Sequence, residues 1–147
     1  MKINENKYFV LTFVSKSGNL TFKEFLYPNR KPFKSLDTII ENNAQKGFEI
    51  TDIKCCGREE YLNLKLDYIV DEYNEGYDVY DKTLEAMRNS EISMRVGIDT
   101  LECVYGNIDS ARRRITTVVN RMVSQDYDIK NEQALMIRDM ATVRREY

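Results

Sequence analysis

Residues 61–70 read YLNLKLDYIV, and the structure assigned to this stretch decides the fold. Leu62, Leu64, Leu66, Tyr68 and Val70 fall on one side of a two-residue period, with Asn63, Lys65 and Asp67 on the other. That is the alternation expected of a strand with one wet face. Immediately upstream, Phe48–Cys56 is a second strand-like run, and Gly57–Glu60 has the length of a hairpin connection. Before that, Ser35 is a natural N-cap for a helix over Leu36 to about Lys46, with Gly47 in the C′ position. Leu36, Ile39, Ile40 and Ala44 share one face of that helix, and Asp37 sits in its first turn. Pro28 and Pro32 bracket an irregular link. The chain opens on Tyr8–Val14 and Leu20–Tyr27, two β-branched and aromatic runs joined by SKSGN. The predicted order of the first half is therefore ββαββ, and the fold class is α+β.

Downstream of Val70 the pattern changes. Asp71–Asp81 (DEYNEGYDVYD) carries five acids and three tyrosines and reads as an irregular bridge. Read as a calcium-binding loop from Asp71, it places Gly76 correctly but puts Tyr73 and Lys82 where carboxylates are required, so that reading fails. Leu84 and Met87 then suggest a short helix. Met94, Ile98, Leu101 and Tyr105 recur at spacings of four, three and four, yet Met94–Val96 and Leu101–Val104 also suit strands. Gly106–Asn107 interrupts. Ile108, Ala111, Ile115, Val118, Val119 and Met122 form an apolar helical stripe. Asp126–Lys130 breaks the run, and a last helix over about Asn131–Glu146 is expected to bury Met136, Ile137, Met140, Ala141 and Val143. The predicted organisation is a sheet with one helix (1–70), an acidic bridge (71–81) and a C-terminal helical segment (82–147) that forms one structural unit with the sheet.

The 147 residues match one ordinary domain with a helical appendage, and 42% apolar with 31% charged residues is a globular composition. A net charge of −2 argues against a general nucleic-acid binder, which needs a basic footprint. No apolar run approaches the about 18–20 residues of a membrane-spanning helix. The polar start carries no export signal, and the three cysteines are expected to be free thiols in the cytoplasm. Cys103 is expected in the core. There is no histidine. That removes the commonest general acid/base, the histidine-activated nucleophiles and most zinc and haem ligand sets. Carboxylates, lysine, tyrosine or a carboxylate-held metal are the remaining routes to catalysis, and no motif speaks for them. A non-enzymatic protein without a cofactor or metal is expected.

Basic residues change type along the chain. Residues 1–74 hold nine lysines and two arginines, and residues 75–147 hold two lysines and nine arginines. Arginine presents a planar donor fork suited to carboxylate and phosphate. Arg112, Arg113 and Arg114 cannot share a helical face, since each step turns about 100°. With the apolar stripe inward, Arg112 and Arg114 flank it on opposite sides and Arg113 points away. They are either solvated helix-surface charges, with pairs such as Asp109 to Arg113, or the walls of a ligand groove. Asn107 reads as an N-cap with free backbone N–H groups behind it, a setting that favours an anion, although Asp109 already serves that dipole. Arg144 falls within the apolar arc of the last helix and either satisfies terminal carbonyls or reaches a partner. The candidate ligand-binding set is Arg112, Arg114 and Asn107, with Tyr105 for stacking and Arg95 as a further cation.

The small size, the lysine- and asparagine-rich first half and the layout of an N-terminal sheet followed by arginine-bearing helices such as ARRRITTVVNRM (111–122) resemble the phage-encoded Thoeris anti-defence proteins. The resemblance implies sequestration of a cyclic ADP-ribose signal by a homo-oligomer, with the nucleotide gripped between the sheet of one chain and the helices of another. It rests on layout, with no motif aligned and no residue carried over. The expected partners are thus a small phosphorylated nucleotide and further copies of the chain, as a dimer or higher oligomer. The alternative is a protein–protein inhibitor whose acidic, tyrosine-rich bridge meets a host protein.

Overall fold

Tyr8–Ser15 (β1) is apolar on both of its faces, and that places it at the centre of the sheet. The structure, a computed structural model, describes residues 8–27 and 35–145, with side chains as far as residue 140. Its contacts divide the chain into two compact units, Met1–Leu62 and Asn63–Tyr147. In the first unit β1 is flanked by Thr21–Leu26 (β2) and Phe48–Cys56 (β3), giving an antiparallel sheet in the order β2-β1-β3. The β1–β2 register sets Phe13 opposite Phe22 and Val10 opposite Phe25. The β1–β3 register slips at Thr12/Phe13, a bulge in the ladder.

The local signals in this unit act as read. Gly18 takes a positive φ of 76° in the β1–β2 turn, where its N–H donates to Ser15 O at 2.8 Å. Helix α1 (Leu36–Gln45) is capped by Ser35, whose Oγ accepts from Thr38 N at 3.2 Å. It ends at Gly47, whose φ of 92° lets its N–H reach Ala44 O at 3.0 Å. Helix and sheet bury Leu11, Phe13, Leu26 and Ile39, with Phe22 against both Phe13 and Phe48. Burial of a side chain such as Phe13 or Leu11 is worth about 1.5–3 kcal/mol. On the opposite sheet face, Tyr61 packs on Tyr8 and Phe25, with ring centroids at 4.8 and 5.8 Å.

The predicted fourth strand does not exist, and the ββαββ order is corrected to ββαβ followed by helices. Arg58–Arg88 is a single helix, α2, which absorbs residues 61–70, the supposed bridge 71–81 and the short helix around Leu84. The alternation misled because Leu62, Leu66 and Val70 are spaced by four, which satisfies both periods. The residues that break the tie are Tyr61 and Ile69. Both are buried together with Leu62, Leu66 and Val70, and only a helical period collects all five. Nothing between Arg58 and Arg88 stops a helix, as Gly76 is a lone glycine and no proline occurs. The partner of β3 is therefore β1.

The second unit is helical. Met94–Ser124 is one uninterrupted helix, α3, capped by Ser93, whose Oγ accepts from Val96 N at 3.2 Å. This settles the 91–104 alternatives in favour of helix from Met94. Gly106 and Asn107 lie in the helix interior, so Asn107 is not an N-cap. Asp126, with φ of 59°, ends the chain reversal after α3, and Tyr127 N bonds back to Met122 O at 2.9 Å. Helix α4 (Glu132–Arg145) starts at Asn131, whose Oδ1 accepts from Ala134 N at 3.0 Å. The link before it is pinned by buried Asn63, which donates to Asp128 O at 3.0 Å and accepts from Lys130 N at 3.1 Å.

Helices α2 and α3 run antiparallel. Glu72 meets Arg114, a Cβ at Gly76 would touch Ile108, and one at Gly97 would touch Met87. Along the stripe, Ile108, Ala111, Ile115, Val118, Val119 and Met122 are all buried, as expected. In α4 the buried residues are Ala134 and Ile137. Met136 and Met140 are exposed, contrary to expectation, and the side chains of Ala141, Val143 and Arg144 lie outside the described residues. Among the described residues no helix is long and apolar enough to cross a membrane.

Candidate functional site

The antiparallel α2–α3 pair leaves a groove along one side, and its lining follows from helix spacing. Glu72, Glu75, Gly76 and Val79 recur at three to four residues on α2, and Val104, Asn107, Ser110 and Arg114 do so on α3. Gly76 has no side chain, which brings the backbone of α2 close to Ile108. The groove encloses about 410 Å³, within the range of small-ligand sites. Its chemistry is mixed: Val79 and Val104 are apolar walls, Asn107 and Ser110 are neutral hydrogen-bonding groups, and Glu72, Glu75 and Arg114 carry charge.

Arg114 Nη2 donates to Glu72 Oε2 at 2.6 Å. Both side chains are half-exposed, and pairs of that kind contribute at most about 1 kcal/mol. The pair is therefore exchangeable: an incoming anion can take the guanidinium from Glu72 at small cost. Arg112 and Arg113 are engaged elsewhere, both with Asp109. The Arg113 hydrogen bond, aided by the Arg112 charge, holds the Asp109 carboxyl below its ordinary range against a partial desolvation that acts the other way.

Of the five sequence-derived candidates the structure brings together two, Asn107 and Arg114. Arg112 is two residues from Arg114 and so points about 200° away around the helix. Tyr105 is nine residues from Arg114, half a turn away, and exposed on the other side. Arg95 is in the first turn of α3, about 28 Å along the axis from Arg114. A single groove holding Arg112 and Arg114 together is thus ruled out by helical geometry, even though their placement on opposite sides of the stripe is as read. Comparison with protein-family models, curated proteins and solved structures returned no match. The groove's chemistry has to be read from its own residues.

Glu72, Glu75, Val79 and Ser110 were missed by sequence reasoning. The first three were hidden by reading 71–81 as a bridge. A helical reading of that segment puts Glu72, Glu75 and Val79 on one face, so the signal was present in the spacing. Cys103, expected in the core, is exposed, as is Cys55, while Cys56 is buried. Burial pushes the Cys56 thiol up, with a further contribution from the Glu60 charge. Among the described residues no group of three cysteine, aspartate or glutamate side chains is placed to hold a metal.

Proposed function

We propose that this chain is a non-enzymatic binding protein that captures a small phosphorylated nucleotide in the α2–α3 groove, acting as an anti-defence sponge in a host cytoplasm. The observation that carries the reading is Arg114: a planar donor fork in a groove of ligand size, beside Asn107 and Ser110, held among the described residues only by an exchangeable carboxylate. A phosphate can take two parallel hydrogen bonds from a guanidinium, and the single bond from Arg114 to the Glu72 carboxylate supports an anion's reaching the same group. Two glutamates in the same lining oppose a highly charged ligand. They suit one phosphate together with ribose hydroxyls, which donate to carboxylates, while Val79 and Val104 offer apolar surface to a base.

The test is mass spectrometry of small molecules released by heating protein purified from its native host, followed by calorimetric titration with the nucleotide found. Arg114→Ala is expected to weaken binding by about ten- to a hundred-fold, the loss of a charge-assisted bond worth about 1.5–3 kcal/mol. Arg113→Ala, which is exposed and bound to Asp109, is the control and is expected to leave affinity unchanged. Release of no nucleotide, or equal sensitivity at Arg113, would sink the reading. A second reading, inhibition of a host protein, is favoured by the acidic stripe of Asp71, Glu75 and Asp78, all exposed on one face of α2. A stoichiometric co-purifying polypeptide in place of a nucleotide would support that one instead.

A further inference from the structure

The N-terminal half of α3 carries an apolar line that nothing within the described chain covers. Met94, Ile98 and Tyr105 are 65%, 46% and 55% exposed, and Leu101 between them is half-buried. At 100° per residue the four fall within an arc of about 60°. Their spacings of four, three and four are those of a coiled-coil seam, and the same line continues through Ile108 into the buried core. Three exposed large apolar side chains in register with a half-buried fourth are a contiguous apolar patch, which marks an interaction surface.

The two flanks of this seam differ. On one side lie Gly97 and Val104, both buried, with Gly97 against Met87 of α2. On the other, open side lie Arg95 and Glu102, both exposed. Among the described residues neither makes an ion pair within the chain. The apolar positions are symmetric about the point midway between Asp99 and Thr100, and the flanking charges are opposite in sign.

We propose that this seam is a contact between two copies of the chain, with the two α3 helices docked antiparallel across a two-fold axis. In that arrangement Ile98 of one copy meets Leu101 of the other, and Met94 meets Tyr105, a thioether against an aromatic ring. The same register sets Arg95 of each copy opposite Glu102 of the other, so two charge pairs form at once. Parallel docking lacks this match, because it faces Arg95 and Glu102 with Gly97 and Val104. A surface complementary to itself under a two-fold rotation is what an isologous interface requires. The occupant is therefore a second copy and not an unrelated protein. The proposal does not depend on the groove: Asn107, Ser110 and Arg114 lie on the opposite side of α3, and Val104 alone borders both.

Light scattering of the full chain across a concentration series at low salt tests it. Four apolar layers make a small interface, so dimerisation in the range of tens of micromolar is expected, weakening as salt screens the charge pairs. Ile98→Asp, at an exposed position, is expected to give a monomer with an unchanged circular dichroism spectrum. Arg95→Glu and Glu102→Arg are each expected to weaken the dimer by about ten-fold or more, since each places like charges face to face twice. The double exchange R95E/E102R restores the opposition and is expected to restore the dimer. A wild-type monomer at the highest concentrations overturns the proposal, including one that associates only with a different polypeptide. So does a dimer indifferent to Ile98→Asp, and so do charge exchanges without recovery in the double variant.

Discussion

Replacing Gly76 by alanine probes the antiparallel packing of α2 on α3 where Ile108 lies against the α2 backbone. Two effects oppose each other. Alanine in a helix interior is favoured over glycine by about 0.8–1 kcal/mol. Against this, a Cβ at position 76 would lie 2.7 Å from Ile108 Cγ1 and 3.5 Å from its Cδ1. Ile108 is buried and β-branched, so its Cγ1 cannot swing away as a flexible chain end would. Overpacking of this kind costs about 1–3 kcal/mol. The net expectation is a loss of about 0–2 kcal/mol. Gly106 supplies the matched control. It is also interior to a helix, but a Cβ there meets nothing within 4 Å, so Gly106→Ala is expected to gain the full propensity term of about 0.8–1 kcal/mol. The difference between the variants is then the steric term alone, about 1–3 kcal/mol, or roughly 2–12 °C in Tm for a chain of this size. Thermal unfolding followed by circular dichroism at 222 nm reads it, with urea midpoints at constant slope as a second measure. Gly76→Ala stabilising as much as Gly106→Ala would mean that Ile108 is not where the antiparallel pair places it. Gly106→Ala destabilising would mean that the helix is broken there, as its glycine–asparagine pair suggests in isolation.

Two further outcomes are expected. Asn63→Ala removes two part-buried hydrogen bonds to the link between α3 and α4, each worth about 0.5–1.5 kcal/mol, so unfolding free energy should fall by about 1–3 kcal/mol; a change below 0.5 kcal/mol, the scale of ordinary surface substitutions, would show the link to be held by other contacts. The three thiols should separate by reactivity, with exposed Cys55 and Cys103 labelling readily with a maleimide near neutral pH and Cys56 labelling at the rate of unfolding, since it is buried and its thiol is pushed up away from the reactive thiolate. Equal labelling of all three in native protein would contradict the burial of Cys56.

Much of the first unit was legible because its signals are local. Gly18 and Gly47 occupy backbone conformations that other residues resist, and Ser35 supplies the one side-chain acceptor that starts α1. Such residues act within four or five positions of themselves, so reading them needs no knowledge of the rest of the chain. Ser93 and Asn131, the caps of α3 and α4, belong to the same class. Asn131 starts the last helix in the sequence reading without being named as its cap, and no cap is named at Ser93, where strands stay open for residues 94–104. The apolar stripe from Ile108 to Met122 was legible for a related reason. Six residues at helical spacing match no other period.

The site was less legible. Arg114 and Asn107 are candidates in the sequence for reasons that the structure does not keep, a shared groove with Arg112 and a helix start capped by Asn107. What makes them neighbours is that both lie on the side of α3 that faces Glu72 and Glu75, and those glutamates were assigned to a bridge. An acidic, tyrosine-bearing segment has low helix propensity on its surface and no apolar face of its own. Its helicity comes from continuity with Tyr61–Val70 and from packing against α3, at Gly76 with Ile108 and at Met87 with Gly97.

The sequence by itself determined the α+β class, the β1–β2 hairpin, both ends of α1, the final helix and the absence of histidine chemistry. Each rests on a local cap, a turn or a composition. Tertiary structure decided whether YLNLKLDYIV is strand or helix, because Leu62, Leu66 and Val70 satisfy both periods. Only the burial of Tyr61 and Ile69 beside them selects one. It also decided that a lone glycine and an Asn that prefers helix ends sit inside α3. A local preference of about 1 kcal/mol is outweighed there by the buried side chains on either side of it, from Val104 and Ile108 onward.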